Sequence, residues 1–321
     1  MSGISEWLAD RLKTTLLIVC LLLSGCSSLT SLYFYPQTVW IQTPEALGLE
    51  YQDVWLAAAD GTELHGWWLP GQSPDKHLPG QPLAEDNEQQ AASDLVVLFL
   101  HGNAENVSSH VRNVEWLPPL GVSVFALDYR GFGASQGEAL MPSVLQDVEA
   151  AAIWLKTHFP DKKLVVLGQS MGAALAVNFV AAAQDRYQIQ ALVLDAPFAG
   201  FPQIARSALT STWLGWIFVP FTWLIPADWN PVDKASKITI PTLVMHSPYD
   251  QVIPYEQGQA VFQQLGGERC WLDSRGGHIA TFSFLTLRQS ALSFIEQKKC
   301  IGQAAFYRGW ALENHYDCAN R

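Results

Sequence analysis

Gly168-Gln169-Ser170-Met171-Gly172 constrains this chain more than any other stretch. It follows the apolar run Leu164-Val165-Val166-Leu167 and precedes an alanine-rich segment, residues 173–183. The pattern predicts a strand, a sharp turn and a helix with a serine at the apex, the context a G-x-S-x-G nucleophile elbow requires. A strained strand-to-helix turn leaves no room for β-carbons near the serine, so glycine stands two residues to either side. The helix then aims free backbone N–H groups at any anion that forms there.

The elbow sits in a regular alternation. Apolar runs recur at residues 95–100, 122–127, 164–167, 191–194, 242–245 and 269–272, most of them doubly buried in pattern, as in a parallel sheet. Residues 52–58 and 63–69 read as strands joined at the hairpin signal Asp60-Gly61. Helical stretches at 143–158, 173–183, 255–265 and 281–296 separate the later runs. Strand–helix alternation predicts a doubly wound, mostly parallel α/β sheet with helices on both faces and a site at the carboxyl ends of its strands. Residues 71–93 are rich in Pro, Gly, Gln, Asp and Glu and read as a mobile surface insertion. Residues 198–229 are too long and too aromatic for an ordinary crossover. They read as a cap whose Trp213, Trp216, Phe218 and Trp223 line an acyl pocket, face a bilayer, or pack on the core.

Ser170 becomes a nucleophile only when a base takes its proton. His278, in the loop Gly276-Gly277-His278 after the last strand, is the expected base. Asp250, in the loop His246-Ser247-Pro248-Tyr249-Asp250, is the expected acid, with Asp195 at the previous strand end as competitor. An oxyanion needs preorganised donors. The Met171 N–H, just after the nucleophile, is one. The Asn103 N–H in His101-Gly102-Asn103-Ala104 is the other, and His101 then has a structural role.

Apolar residues make up 49% of the 321 and charged residues 15%, enough for a large core. A net charge of −11 argues against nucleic acid as a partner. No Cys/His cluster has metal spacing, so no metal is expected. At the N-terminus, Arg11 and Lys13 precede an apolar run of about ten residues, short of the roughly 20 a spanning helix needs. Leu23-Ser24-Gly25-Cys26 then follows. This resembles a bacterial lipobox, which implies a signal peptide over residues 1–25, lipid on Cys26 and a lipid-proximal tether over 26–50. Ser27, where an aspartate often retains such lipoproteins in the inner membrane, implies the outer membrane facing the periplasm. In an oxidising compartment Cys300 and Cys318 are candidates to pair across a C-terminal tail, residues 298–321, with Cys270 an inert buried thiol.

Together with Asp128-Tyr129-Arg130-Gly131-Phe132-Gly133, the motifs above stand in the order of the α/β-hydrolase superfamily. Over about residues 50 to 297 the chain resembles the Bem46-like group of serine hydrolases, kin to the eukaryotic ABHD type. That resemblance implies an eight-stranded α/β-hydrolase fold, no cofactor, and hydrolysis of ester, thioester or sometimes amide bonds by a Ser-His-Asp triad. The expected partners are a small-molecule or lipid-like ester and a membrane reached through the lipid anchor. A peptide or amide hydrolase, or a non-catalytic scaffold, are the alternatives.

Overall fold

Eight strands form one sheet: β1 (Gln52–Ala57), β2 (Glu63–Leu69), β3 (Leu95–Leu100), β4 (Ser123–Leu127), β5 (Lys163–Gln169), β6 (Ile189–Asp195), β7 (Thr242–His246) and β8 (Arg269–Asp273). The structure is a computed structural model and describes residues 28–72 and 93–300. Across the sheet the order is β1-β2-β4-β3-β5-β6-β7-β8. The β1–β2 and β2–β4 pairs are antiparallel, and all other pairs are parallel. Gly61 turns the β1–β2 hairpin at φ +84°, a conformation that L side chains rarely adopt.

β3 and β4 are buried along their whole length, which is why their sequences are apolar without alternation. One face of the sheet, including Leu98, Phe125, Val166 and Leu192, packs on α1 (Ser143–His158) and α2 (Met171–Ala183). The other face, with Val97, Phe99, Val165 and Val193, packs on Val107, Leu117 and the C-terminal helix. Three longer helices follow α2: α3 (Phe201–Thr210), α4 (Tyr255–Gln264) and α5 (Leu285–Gln297). From β3 the chain steps to β4 on one side, and from β5 it steps to β6 on the other. The order thus reverses between β3 and β5, and a crevice opens at their carboxyl ends, where such sheets bind ligands. Those ends carry His101 and Ser170.

Residues 28–50, expected as a lead-in tether, pack onto the sheet domain. Phe34 and Leu49 are buried. The Tyr33 hydroxyl donates to the Phe201 carbonyl at 2.8 Å, and Asn106 donates to the Gln37 and Val39 carbonyls, each at 2.8 Å. A two-residue parallel ladder joins Tyr35–Pro36 to Ala104–Glu105. Below the crevice, Arg130 binds Asp147 of α1 at 2.7 Å and Asp60 of the hairpin turn at 2.7 Å, tying three segments together. Most of the expected insertion, residues 73–92, lies outside the described residues, as do residues 1–27, with Cys26, and the tail 301–321.

The cysteine expectation is corrected. Cys300 bonds to Cys270 of β8, so Cys270 is no free thiol and Cys300 is not paired with Cys318, which lies outside the described residues. Lys298 ends α5 in a left-handed conformation, its N–H bonded to the Phe294 carbonyl. That turn brings Cys300 back beside β8 with its Cα 5.3 Å from that of Cys270, within disulfide range. The bond closes a loop with a sequence separation of 30. Replacing both cysteines with alanine should lower the unfolding free energy by about 3–4 kcal/mol on chain-entropy grounds. Denaturant titration without reductant measures it, and an unchanged midpoint would contradict the bond.

Candidate active site

Ser170 stands between β5 and α2 at φ +56° and ψ −116°, a backbone state costly for any residue with a β-carbon. Its neighbours enforce it. A β-carbon on Gly172 would lie 2.0 Å from the Leu100 carbonyl oxygen, and one on Gly168 would lie 2.4 Å from that of Gly172. The Ser170 N–H donates to the Asp195 carbonyl at 2.9 Å. The strand is therefore pressed against α2 and β3, and the serine hydroxyl is pushed out at the apex.

Two loops meet it there. Nε2 of His278 lies 2.9 Å from Ser170 Oγ, and its Nδ1 lies 2.8 Å from Asp250 Oδ2. An ionised carboxylate only accepts, which assigns the ring proton to Nδ1 and turns the Nε2 lone pair toward the serine hydroxyl. The other Asp250 oxygen accepts the N–H groups of Val252 and Ile253 at 2.8 and 2.9 Å. Burial pushes the Asp250 carboxyl up, but the His278 bond and charge and those two backbone donors outweigh it and hold it below the usual carboxylate range. The Ser247 hydroxyl donates to the Gly276 carbonyl at 2.6 Å and fastens the acid loop to the histidine loop. His246 is buried beneath and donates Nε2–H to the Ile253 carbonyl at 3.1 Å, and burial chiefly holds its pKa below the usual histidine range.

Of the expected donors, Met171 directly follows Ser170, and Asn103 lies one residue beyond Gly102. Among the described residues, neither the Met171 nor the Asn103 backbone N–H has a hydrogen-bond acceptor. The Asn103 carbonyl is fixed by the Tyr35 N–H at 2.7 Å. A β-carbon on Gly102 would lie 3.9 Å from that of Ser170, so this loop runs beside the nucleophile. His101 is fully buried, with Nδ1 2.8 Å from the Gly102 carbonyl oxygen. Below it, Asp128 accepts the Val107 N–H at 2.7 Å and lies between His101 and His65. Motif reading missed this buried His65–Asp128–His101 row, because His65 sits in a strand with no motif around it.

Asp195 does not touch His278. It accepts Thr281 Oγ1–H at 2.5 Å and Gln169 Nε2–H at 2.7 Å, fully buried behind the elbow. Burial lifts its carboxyl to about 6, against those two bonds.

A cavity of about 440 Å³ reaches Asn103. Its walls are Leu32, Tyr33 and Tyr35 of the lead-in, Ile204, Ala205, Ala208 and Leu209 of α3, and Ile225 and Val252. The cap aromatics are not among them. Trp213, Trp216 and Trp223 are 80%, 61% and 74% exposed, so the expectation that they line the pocket is corrected. The segment is built of short turns, Gly215–Ile217 and Val219–Leu224, whose composition does not tell inward from outward. Among the described residues one group of three side chains has metal-ligand proximity, Glu268, Cys270 and Cys300, and its two sulfurs are joined in the disulfide.

Residues 91–228 match the family described as serine aminopeptidase, S33. Protein YfhR of Salmonella typhi is 31% identical over 260 residues, covering 77% of this chain and 79% of that protein. The lysophosphatidylserine lipase ABHD12 of Danio rerio is 26% identical over 245 residues, covering 71% of this chain and 62% of that protein. Among solved structures, the esterase Pf2001 of Pyrococcus furiosus shares the fold at a TM-score of 0.64 and 22% identity, over 82% of this chain and 96% of that one. The chain belongs to the α/β-hydrolase family, and within it to the serine hydrolases.

Asp195 makes a prediction about stability. Its folded pKa is raised, so its contribution is full below the unfolded value near 3.8 and is lost as pH rises through about 6. Relative to Asp195→Asn, the wild type should lose about 3 kcal/mol of unfolding free energy between about pH 4 and about pH 7.5. Denaturation of both proteins across that range checks it, and a pH-independent difference would refute it.

Proposed function

We propose that this chain is a membrane-anchored serine esterase that cleaves carboxylic ester or thioester bonds of acyl substrates. The observation that carries the reading is His278, bonded at once to Ser170 Oγ at 2.9 Å and to Asp250 at 2.8 Å. In this reading His278 takes the Ser170 proton as Oγ attacks the acyl carbon, and Asp250 stabilises the imidazolium. The Met171 and Asn103 N–H groups receive the oxyanion. His278 passes the proton to the leaving oxygen or sulfur, then activates the water that releases the acid. No cofactor or metal enters these steps.

The acyl group fits the cavity beside Asn103, whose walls are mostly aliphatic and aromatic and, among the described residues, hold no acidic side chain. A peptide's free amine would need such a carboxylate, so the cavity favours an ester over the aminopeptidase activity in the family's description. The names of the zebrafish lipase and the archaeal esterase agree with that choice. Anchoring rests on Leu23-Ser24-Gly25-Cys26, with the outer membrane facing the periplasm as the site of attachment. Several acyl chains on one cysteine exceed the marginal hold of a single chain.

Three tests follow from these assignments. Ser170→Ala should abolish ester turnover and fluorophosphonate labelling, while Asp250→Asn should lower kcat by about 10⁴ through the wrong histidine tautomer. Labelling of the Ser170 variant at the wild-type level would end the assignment. For the cavity, each buried methylene is worth about 0.8 kcal/mol, or roughly fourfold in kcat/KM, until the pocket is full. Ala208→Phe should shorten that rise on a p-nitrophenyl ester series and leave acetyl ester turnover near wild type. An unchanged chain-length profile would remove the acyl group from this cavity. For the anchor, Cys26→Ser should stop incorporation of radiolabelled palmitate, and continued incorporation would rule out the lipobox.

A further inference from the structure

The cap presents an apolar face that the chemistry above does not use. Trp213, Trp216, Ile217, Phe218, Phe221 and Trp223 are each more than half exposed within eleven residues. Single exposed apolar side chains are ordinary, but a contiguous group of this size marks a contact surface. Its presentation is fixed, because the Phe218 and Phe221 N–H groups bond the Gly215 and Phe218 carbonyls at 2.8 and 2.9 Å.

Three observations say what meets it. The first is charge. From residue 198 to 227 the only charged side chain is Arg206, and it lies against the Thr222 hydroxyl, in a chain whose net charge is −11. A face with Trp and Phe and almost no charge suits the boundary between lipid headgroups and acyl chains. The second is position. Leu209 and Ile225, which bracket the cap, are walls of the cavity that reaches Asn103. The third is where the chain enters. Residues 1–27 join at Ser28, and within the first described helix Leu32 and Tyr33 line that same cavity. The described chain therefore begins within a few residues of the cavity wall.

We propose that residues 212–224 dock onto a lipid bilayer, inserting their aromatic side chains at the headgroup boundary, so that the cavity receives an acyl chain directly from the leaflet. Delivery of the chain rests on the esterase reading; docking does not. With no basic cluster on the face, docking is apolar and gains nothing from anionic lipid.

The test uses the full-length chain reconstituted in phosphatidylcholine vesicles with acyl chains brominated near the headgroup. Tryptophan emission of the wild type should be quenched. The W213S/W216S/W223S variant should lose most of that quenching, while Trp55→Ser, on the edge strand β1, should keep it. Replacing part of the lipid with phosphatidylglycerol should not increase it. On a long-chain ester held in the vesicles the triple variant should fall by about tenfold or more. Its turnover of soluble p-nitrophenyl butyrate should be unchanged, which also reports that it is folded. A wild type that is not quenched, or a triple variant quenched equally, overturns the docking. So does a concentration-dependent dimer that the triple variant abolishes, since a second copy then covers the face. Quenching lost in the variant, with no ester turnover in either protein, upholds docking and overturns the esterase reading.

Discussion

The backbone of Ser170 is the constraint on which the rest of the arrangement depends. At φ +56° it can be held only if β5, α2 and the end of β3 approach one another without intervening β-carbons. Gly168 and Gly172 provide that approach, and Leu100 supplies the wall. The same closeness leaves the Met171 N–H free at the start of α2 and brings the Gly102 loop beside the serine. One steric condition thus yields a hydroxyl turned to His278, a free donor and a second loop beside the serine. Thirteen residues of α2, nearly all buried, repay the strain locally.

Around the elbow the fold manages buried carboxylates by giving each a different environment. Asp250 has a histidine and two backbone donors and stays ionised. Asp195 has only two side-chain donors in a fully buried place, and its carboxyl rises to about 6. Their pKa values are pushed apart, so one carboxylate carries the charge facing His278 and the other bonds Gln169 and Thr281 behind it. Asp128 performs a third task, bonding the Val107 N–H and lying beneath His101. Its neighbour in the sequence motif, Gly133, is tied to it: a β-carbon there would lie 2.0 Å from Asp128 Oδ2.

Much of this is legible in the amino-acid sequence. The elbow's glycines, the doubly apolar strands and the Asp60-Gly61 turn each express a local rule of sterics or burial, and all eight strands fall on the runs that those rules select. The candidate triad was legible for the same reason, since each member follows a strand end. What escaped depends on how distant segments return to one another. The Cys270–Cys300 bond follows from the turn at Lys298, which no spacing rule reveals. The cavity walls join residues 32–35 to α3 across about 170 positions of sequence, as the bond from Tyr33 to Phe201 records. The orientation of Trp213 and Trp223 depends on which side of short turns faces α3, and apolar composition is the same either way.

That last point changes how the lead-in should be viewed. A segment that merely reached from a membrane to a domain would have no reason to bury Phe34 or bond Tyr33 to the first residue of α3. Because it does both, the segment that leads toward Cys26 also forms one wall of the cavity. Displacing it would open the cavity to water along Leu32, Tyr33 and Tyr35 and release the Asn103 carbonyl from the Tyr35 N–H. Leu32, Tyr33 and Tyr35 thus belong to the cavity as much as to the lead-in, so a change in them should be felt at the Asn103 loop. The fold thereby couples the lead-in to the shape of the cavity, through packing and hydrogen bonds rather than through any moving part.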